Sequence, residues 1–205
     1  IHNMHYPLIS EYIEAILSSE DNFDKLNNLR PILDEYGNPI MSSGNFAVVF
    51  KMTDGKKNYA IKCFLKEQEG RKEAYNQICD YMSSIHTKHF VSMSYYEKEL
   101  FVDTTQTEDN EFPVLLMDWV DGLGLSEYIS RNYDNSEKMA NLYNNLQDMI
   151  EWLLPSHLAH GDLKPDNIIV TADSNIVLID YDGMFVPSMQ GQYSREHGTP
   201  QFQYQ

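Results

Sequence analysis

Residues 160–167 (HGDLKPDN) bring an acid, a lysine and an amide into one short segment. Asp162 and Asn167 lie five residues apart, and Asp180 follows Asn167 by thirteen residues, after the apolar stretch 175–179. The oxygens of Asn167 and Asp180 are hard ligands of the kind that suits Mg²⁺. A turn rich in Asp and Asn would look similar in sequence, so this segment has to be interpreted together with the rest of the chain.

A second group of candidate residues lies in the first third of the chain. Residues 59–62 (YAIK) place Lys62 in an apolar stretch typical of a strand, where a lysine that only faces solvent is the alternative interpretation. Residues 42–49 (SSGNFAVV) precede it and contain one glycine, Gly44, among small residues that permit close approach of a backbone to a ligand.

These segments resemble the motifs of the protein kinase superfamily and stand in that family's order. Residues 160–167 resemble the catalytic loop, and residues 59–62 resemble the V-A-I-K strand. Residues 180–183 (DYDG) look like the metal-binding DFG triplet, with Tyr for Phe and Asp for Gly. Residues 42–49 lie where the glycine-rich loop of the family should be.

The resemblance covers roughly residues 29–205. Residues 198–205 (GTPQFQYQ) resemble the GTPxYxAPE segment of protein kinases, which favours a protein substrate. HGD in place of HRD, and DYDG in place of DFG, resemble a bacterial branch of Ser/Thr-kinase-like proteins. Gly161 replaces the arginine that binds an activation-loop phosphate in many kinases, so phosphorylation there is not expected to be the main switch. The hydroxyl residues concerned are Ser188, Tyr193, Ser194 and Thr199.

The resemblance implies an ATP-dependent Ser/Thr protein kinase that transfers the γ-phosphoryl group to a protein hydroxyl with the help of Mg²⁺. Asp162 would accept or orient the proton of the attacking hydroxyl, and Lys164 would reach the γ-phosphate. Lys62 would hold the α- and β-phosphates. Asn167 and Asp180 would bind the metal.

Three features of the candidate site depart from the family pattern or stay open. Asp182 is an alternative metal ligand to Asp180. The first candidate for the acid that pairs with Lys62 is Glu73. Further candidates for that acid are Glu69 and Asp80. In the glycine-rich loop Ser42 and Ala47 stand where the first and third glycines are expected, leaving Gly44, and these two residues resist a positive φ.

Residues 112–120 (FPVLLMDWV) resemble the family's fifth strand and hinge, next to the adenine of ATP. The implied adenine-binding residues are Val49, Ala60, Met117, Asp118, Val120 and Ile169. Met117 would be the gatekeeper, and the backbone of Asp118 and Val120 would bond to the adenine edge. The apolar residues of this set could equally well pack in the protein core without contacting a ligand.

The elements that must position these residues can be predicted from hydrophobic periodicity. Helices are expected over residues 7–19, 69–84 and 136–154, the last with Ser136 as its N-cap. Strands are expected over residues 46–52, 58–65, 90–93, 99–102, 112–117, 168–171 and 175–179. The predicted fold is α+β with two lobes. It comprises an N-terminal helical extension (1–28), a kinase-like N-lobe with an antiparallel sheet and one helix (29–117), and the hinge with a partial helical C-lobe (118–205).

Composition excludes several classes of partner. The 205 residues include 15 Lys and Arg against 31 Asp and Glu, which gives a net charge of −16. Nucleic acids and anionic membranes carry charge of the same sign, so neither is expected as a partner. The two cysteines, Cys63 and Cys79, predict reduced thiols and a cytoplasmic protein. Nothing in the sequence predicts the oligomeric state.

Two other functions remain open at this stage. The HGDL segment also resembles the loop of aminoglycoside- and choline-kinase-like enzymes, which phosphorylate small molecules. The incomplete glycine-rich loop favours a pseudokinase, a binding module without catalysis. Phosphate transfer to a sugar or amino alcohol but not to protein would identify the first alternative. A cellular function that survives Asp162→Asn would identify the second.

Overall fold

The computed structural model describes residues 5–193 and 200–202, and the chain forms two compact units. Unit 1 comprises Ile1–Ala74 and Met93–Trp119, and unit 2 comprises Tyr75–Ser92 and Val120–Gln205. The α+β class predicted from the sequence is confirmed. The last of the three boundaries between the units along the sequence lies between residues 119 and 120, close to the expected start of the hinge.

Unit 1 is built on one antiparallel sheet. Its strands are β1 (Arg30–Pro31), β2 (Met41–Ser43), β3 (Ala47–Thr53), β4 (Asn58–Phe64), β5 (Met93–Phe101) and β6 (Glu111–Asp118). The order across the sheet is β1-β3-β4-β6-β5, with β2 also paired to β3. Asp54 closes the tight turn between β3 and β4 by accepting hydrogen bonds from the backbone N–H groups of Lys56 and Lys57. The strands predicted over residues 46–52 and 58–65 are therefore neighbours that form an antiparallel hairpin.

The strand β5 differs from its prediction. The sequence indicated two short strands, over residues 90–93 and 99–102, whereas the structure has one strand, Met93–Phe101. The register shifts between Tyr96 and Leu100, so the alternation of buried and exposed residues is interrupted within the strand. The polar residues of this irregular part hide its continuity from a period-two pattern.

The N-terminal residues pack as part of unit 1. Helix α1 (Ile9–Leu17) is followed by the short helix α2 (Ser19–Asn22). Tyr12 and Ile16 are fully buried, as the apolar stripe in this region predicts. The hydroxyl of Tyr12 donates to the carbonyl of Phe64 at 2.7 Å, at the end of β4.

A buried carboxylate holds the loop that follows α2. The Oε1 atom of Glu99 accepts hydrogen bonds from the backbone N–H groups of Lys25 and Leu26, at 2.7 and 2.6 Å. Glu99 is only 3% exposed, and burial raises the pKa of its carboxyl group. The side chain therefore satisfies two backbone donors at the cost of desolvating its charge.

Glu99→Ala should lower the free energy of unfolding by about 1–3 kcal/mol, because it leaves buried backbone donors without an acceptor. Glu99→Gln keeps an acceptor oxygen and should lose much less. Because the folded-state pKa is raised, protonation favours the folded state. Wild type should therefore gain stability relative to Glu99→Gln as the pH falls from 7 towards 4. Urea titrations across this pH range would measure both effects, and equal stability of the Ala and Gln variants would contradict them.

Unit 2 contains a small three-stranded sheet and two helices. The strands are β7 (Leu123–Gly124), β8 (Ile168–Val170) and β9 (Ile176–Leu178), and the helices are α4 (Leu125–Asn132) and α5 (Ser136–Leu153). The remaining helix, α3 (Arg71–Ser84), runs from unit 1 into unit 2 along the sequence. No helix of the described residues has the length and apolar character needed to cross a membrane.

The ends and faces of these helices correct two details of the sequence analysis. The N-cap of α5 is Asn135, whose side chain accepts a hydrogen bond from the N–H of Lys138 at 3.0 Å, and Ser136 is the first helical residue. Asn and Ser are comparable N-caps, so the sequence does not separate neighbouring candidates. Helix α4 was not predicted, because its eight residues are fewer than the window of roughly 11–18 residues over which helical periodicity is recognised in a sequence.

Candidate active site

The catalytic-loop residues of unit 2 form a connected polar cluster. The Nζ atom of Lys164 lies 2.8 Å from Oδ2 of Asp162. The Nδ2 atom of Asn167 donates to the carbonyl oxygen of Asp162 at 2.8 Å and to its Oδ2 at 3.3 Å. A 3₁₀ turn over Pro165–Asn167 leads directly into β8 and fixes the position of Asn167. The structure thus brings together three residues that the sequence analysis assigned to one site.

Charge in this cluster is arranged around Lys164. Its hydrogen bond to Asp162 raises the pKa of its ammonium group, and the charges of Asp162, Asp180 and Asp166 raise it further. Lys164 and Asp162 are both partly shielded, with side chains 27% and 14% exposed. The lysine is therefore held as a cation among carboxylates.

Asp180 follows β9 in a backbone conformation that few residues other than glycine adopt. Its φ is +61°, in the left-handed region, and its side chain is exposed. The N–H of the preceding Ile179 donates to the carbonyl of Asn167 at 2.9 Å, which ties the Asp180 loop to the catalytic loop. Strained residues of this kind are concentrated at functional sites, where the surrounding structure holds them in place.

Two further contacts join the catalytic loop to residues 179–185. The ring Nε2–H of His160 donates to the carbonyl of Ile179 at 2.8 Å. Ala159 and Phe185 exchange a pair of backbone hydrogen bonds at 2.9 and 2.8 Å. His160 is only 3% exposed, and burial lowers the pKa of its imidazole, which favours the neutral ring. These bonds set the distance between the catalytic loop and the loop that carries Asp180.

Gly161 lies between those contacts, where no side chain would fit. Its φ is +87°, and a Cβ atom at this position would lie 2.1 Å from the carbonyl oxygen of Gly183. A contact below 3 Å with backbone cannot be relieved by a side-chain rotation. The backbone of Gly183 therefore occupies the space where the side chain of an arginine at position 161 would begin. The sequence shows that the arginine is missing, but it does not show that the backbone of Gly183 lies so close to Gly161.

Tyr181 explains the substitution of Tyr for Phe in the DYDG segment. Its side chain is 1% exposed, and its hydroxyl accepts a hydrogen bond from the N–H of Val91 at 3.0 Å and donates to the carbonyl of Leu178. Its ring also packs against Phe90 and His160, with centroid separations of 5.4 and 6.1 Å. A phenylalanine would keep the ring contacts but leave the Val91 N–H without this acceptor.

In unit 1, the strand register places four predicted site residues on one face of the sheet. Val49 lies opposite Lys62, and Ala60 lies opposite Met117. Ala60 and Lys62 are two residues apart on β4, so their side chains point to the same side. Val49, Ala60, Lys62 and Met117 therefore share a face, as nucleotide-binding residues should. Lys62 is 7% exposed, which argues against a solvent-facing strand lysine.

The loop between β2 and β3 does not require its missing glycines. No residue from 42 to 47 is among the described residues with positive φ, so Ser42 and Ala47 are unstrained. A Cβ at Gly44 would meet nothing within 4 Å. The Gly44 N–H donates to the carbonyl of Ala47 at 2.9 Å and closes a simple hairpin. The expected resistance of Ser and Ala to a positive φ therefore has no consequence in this conformation.

Glu73 is the first candidate for the acid that pairs with buried Lys62. Glu73 is exposed on the first turn of α3, and its charge contributes to raising the pKa of Lys72, after the larger effect of Glu97. Its pairing with Lys62 stays a prediction. Asp118 has a different role for its side chain, which forms an ion pair with Lys57 at 2.7 Å and leaves only its backbone for the predicted hinge contact.

Two predicted adenine-side residues belong to unit 2. Val120 and Ile169 are both half-buried, and Ile169 is the middle residue of β8. A Cβ at Gly122 would lie 2.6 Å from the Cγ2 atom of Ile169 and 2.5 Å from the carbonyl oxygen of Val170. Gly122 therefore lets the chain after Val120 lie directly against β8, a close contact that the sequence analysis did not identify.

Some predicted features lie outside the described residues. These are Ser194, Thr199 and most of residues 198–205, the segment that resembles GTPxYxAPE. Ser188 is described, and its hydroxyl donates to Oε1 of Gln77 at 2.9 Å within unit 2. Within residues 5–193 and 200–202, no three His, Cys, Asp or Glu side chains cluster closely enough to hold a metal ion together.

Comparison with known proteins agrees with this arrangement. The family described as "Protein kinase domain" matches residues 38–203. The catalytic subunit 2 of cAMP-dependent protein kinase from Drosophila melanogaster is 26% identical over 80% of this chain and 44% of its own length. The serine/threonine-protein kinase GRIK2 from Arabidopsis thaliana is 26% identical, over 97% of this chain and 48% of its own length. The serine/threonine-protein kinase CLA4 from Candida albicans is 28% identical over 68% of this chain and 14% of its own length.

These relatives come from an animal, a plant and a yeast, so the resemblance to a bacterial branch stays a prediction. This chain spans less than half the length of each of the three. The family match covers most of the chain, and its range includes both the polar cluster of unit 2 and the lysine strand of unit 1. The chain belongs to the protein kinase domain family.

Proposed function

We propose that this chain is the catalytic part of an ATP-dependent Ser/Thr protein kinase. The observation that carries the proposal is the cluster of Asp162, Lys164 and Asn167, in which each residue is held by the others. Phosphoryl transfer demands positioning and charge neutralisation more than covalent chemistry, and this cluster supplies both. The names of the relatives support a protein as the substrate, with Ser or Thr as the acceptor.

Each residue of the cluster has a defined task in this mechanism. The carboxylate of Asp162 accepts or orients the proton of the attacking hydroxyl. Lys164 neutralises charge on the γ-phosphate while its ion pair with Asp162 keeps both side chains in place. Lys62 neutralises the α- and β-phosphates, a task for which a buried cation on a strand is suited.

The donor atoms of unit 2 fit a magnesium ion. The two hydrogen bonds donated by Nδ2 of Asn167 fix the orientation of the amide, so Oδ1 is the atom that would bind the cation. Asp180 would supply a carboxylate from its exposed position. Both are oxygen donors, as Mg²⁺ prefers, and the bound ion would neutralise charge on the phosphates. Asp180 remains our preferred ligand over Asp182 on the spacing of the family motif.

The adenine-side residues and the location of the protein are part of the same proposal. Val49, Ala60, Met117 and Ile169 would contact the adenine ring, and the backbone of Asp118 and Val120 would bond to its edge. Gly44 would allow the loop after β2 to approach the phosphates. Cys63 and Cys79, both within the described residues, form no disulfide, which supports a reducing, cytoplasmic location.

Thermal unfolding with ATP, with and without Mg²⁺, tests this proposal. At an ATP concentration of about 100 times the Kd, binding should raise the free energy of unfolding by ~2.7 kcal/mol. That corresponds to a rise of roughly 5–10 °C in Tm for a domain of this size. The rise should depend on Mg²⁺ and should disappear in Asp180→Ala. A cooperative transition that ATP and Mg²⁺ leave unchanged would contradict the proposal and favour a pseudokinase.

A further inference from the structure

The N-terminal residues contact the two parts of unit 1 that adjoin Lys62 and Glu73. We call residues 5–23, which include α1 and α2, the N-terminal brace. The Tyr12 hydroxyl of the brace donates to the carbonyl of Phe64, two residues after Lys62 on β4. Tyr6 of the brace contacts Arg71, the first residue of α3 and two residues before Glu73. One segment therefore holds both the end of the lysine strand and the start of this helix.

Arg71 is the residue that connects these contacts. It is only 4% exposed, and its Nη1 donates to the Tyr6 hydroxyl at 3.1 Å while its Nη2 donates to the carbonyl of Lys66. Its guanidinium lies over the rings of Phe64 and Tyr6, at 4.1 and 5.5 Å from their centroids. Arg71 therefore links β4, the connection after β4 and the brace through its own side chain.

The Tyr6 hydroxyl completes this arrangement. It donates to Oε2 of Glu67 at 3.0 Å while it accepts from Arg71. Burial raises the pKa of this hydroxyl to about 12, so it stays protonated and keeps both bonds at neutral pH. The rings of Tyr6 and Tyr12 also lie 6.1 and 6.4 Å from the ring of Phe112 on β6. Aromatic contacts of this kind anchor the brace to the sheet independently of the two hydrogen bonds of the Tyr6 hydroxyl.

We infer that Tyr6 and Arg71 are positioning residues, through which the N-terminal brace fixes the end of the Lys62 strand and the first turn of α3 for nucleotide binding. This inference rests on the proposed function, because it assigns a regulatory input to the same site. Neither residue needs to touch ATP. A brace that is displaced would release Phe64 and Arg71 together, and nucleotide affinity would fall as Lys62 and the helix start lose their fixed positions.

Three variants of the full-length protein test the inference. Tyr6→Phe keeps the ring and removes two hydrogen bonds, and Arg71→Met keeps much of the side-chain length without the guanidinium. The control is Glu11→Ala, in the same brace, which loses hydrogen bonds to Leu8, Thr104 and Thr105, all three of which lie outside β4 and α3. Hydrogen exchange of residues 64–74 and the Kd for ATP with Mg²⁺ are measured for each.

Tyr6→Phe and Arg71→Met should raise the exchange rate of residues 64–74 by about five- to tenfold and weaken ATP binding by a similar factor. Glu11→Ala should lower Tm without either effect. Unchanged exchange in Tyr6→Phe, or an equal change in Glu11→Ala, would overturn the inference. If wild type binds no ATP, the proposed function fails, and faster exchange confined to the first two variants would still support the anchoring role. If Arg71→Met does not fold, Tyr6→Phe decides the question.

Discussion

Asp162→Asn should reduce the rate of phosphoryl transfer by about 10²–10⁴-fold, the contribution typical of a positioned general base. The amide is the same size as the carboxylate and can still meet Asn167, so the fold should survive. What disappears is the negative charge that pairs with Lys164 at 2.8 Å and the oxygen that accepts the substrate proton. Binding of ATP should change little, because the effect belongs to the transfer step.

Single-turnover transfer from ATP to a generic protein substrate, such as casein, measures this effect in the full-length protein. The matched control is Asp166→Asn, the same change at an exposed residue of the same loop. It should transfer at a rate close to that of wild type. Equal rates in Asp162→Asn and Asp166→Asn would remove Asp162 from the mechanism.

Gly161→Ala should lower activity on the order of 10²-fold, since a displacement of about 1 Å in a catalytic group can have that effect. The added methyl group would lie 2.1 Å from the carbonyl oxygen of Gly183, so the segment that carries Asp180 has to move away from the catalytic loop. The contacts of His160 with Ile179, and of Ala159 with Phe185, are the bonds that this movement would break. The concentration of Mg²⁺ needed for half-maximal activity should rise as well.

Gly55→Ala separates this effect from backbone strain. Gly55 has φ +89°, close to the +87° of Gly161, but a Cβ there meets nothing within 4 Å. Both variants should therefore lose about 1–2 kcal/mol of stability from the unfavourable φ. Only Gly161→Ala should lose activity and need more Mg²⁺. Matching activity in the two variants would show that the close approach to Gly183 has no catalytic role.

The residues that the structure brings together in unit 2 are those whose signals in the sequence are local. Asp162, Lys164 and Asn167 lie within six residues, and one 3₁₀ turn brings them together. The shared face of Val49, Ala60, Lys62 and Met117 follows from the regular alternation of strands, once the pairing of β3, β4 and β6 is known. Most helices and strands of the fold are also predicted to within a few residues, because their hydrophobic periodicity is a local signal.

The features that escaped prediction depend on contacts between distant residues. Gly161 and Gly183 are 22 residues apart in sequence, and only the folded chain shows that one backbone fills the side-chain space of the other. The same holds for Arg71, which looks like an ordinary surface residue at a helix start but is buried against Phe64 and Tyr6. Glu73, on the same helix turn, is exposed, and its pairing with Lys62 stays a prediction.

The most direct test of the account is transfer of the γ-phosphoryl group itself. The full-length protein is incubated with γ-labelled ATP, Mg²⁺ and a mixture of protein substrates, alongside Asp162→Asn and a reaction that contains EDTA. We predict label on Ser or Thr of protein, lost in both controls. Label on a small amino alcohol or sugar alone, or no labelled product from a protein that binds ATP, would contradict the assignment as a Ser/Thr protein kinase.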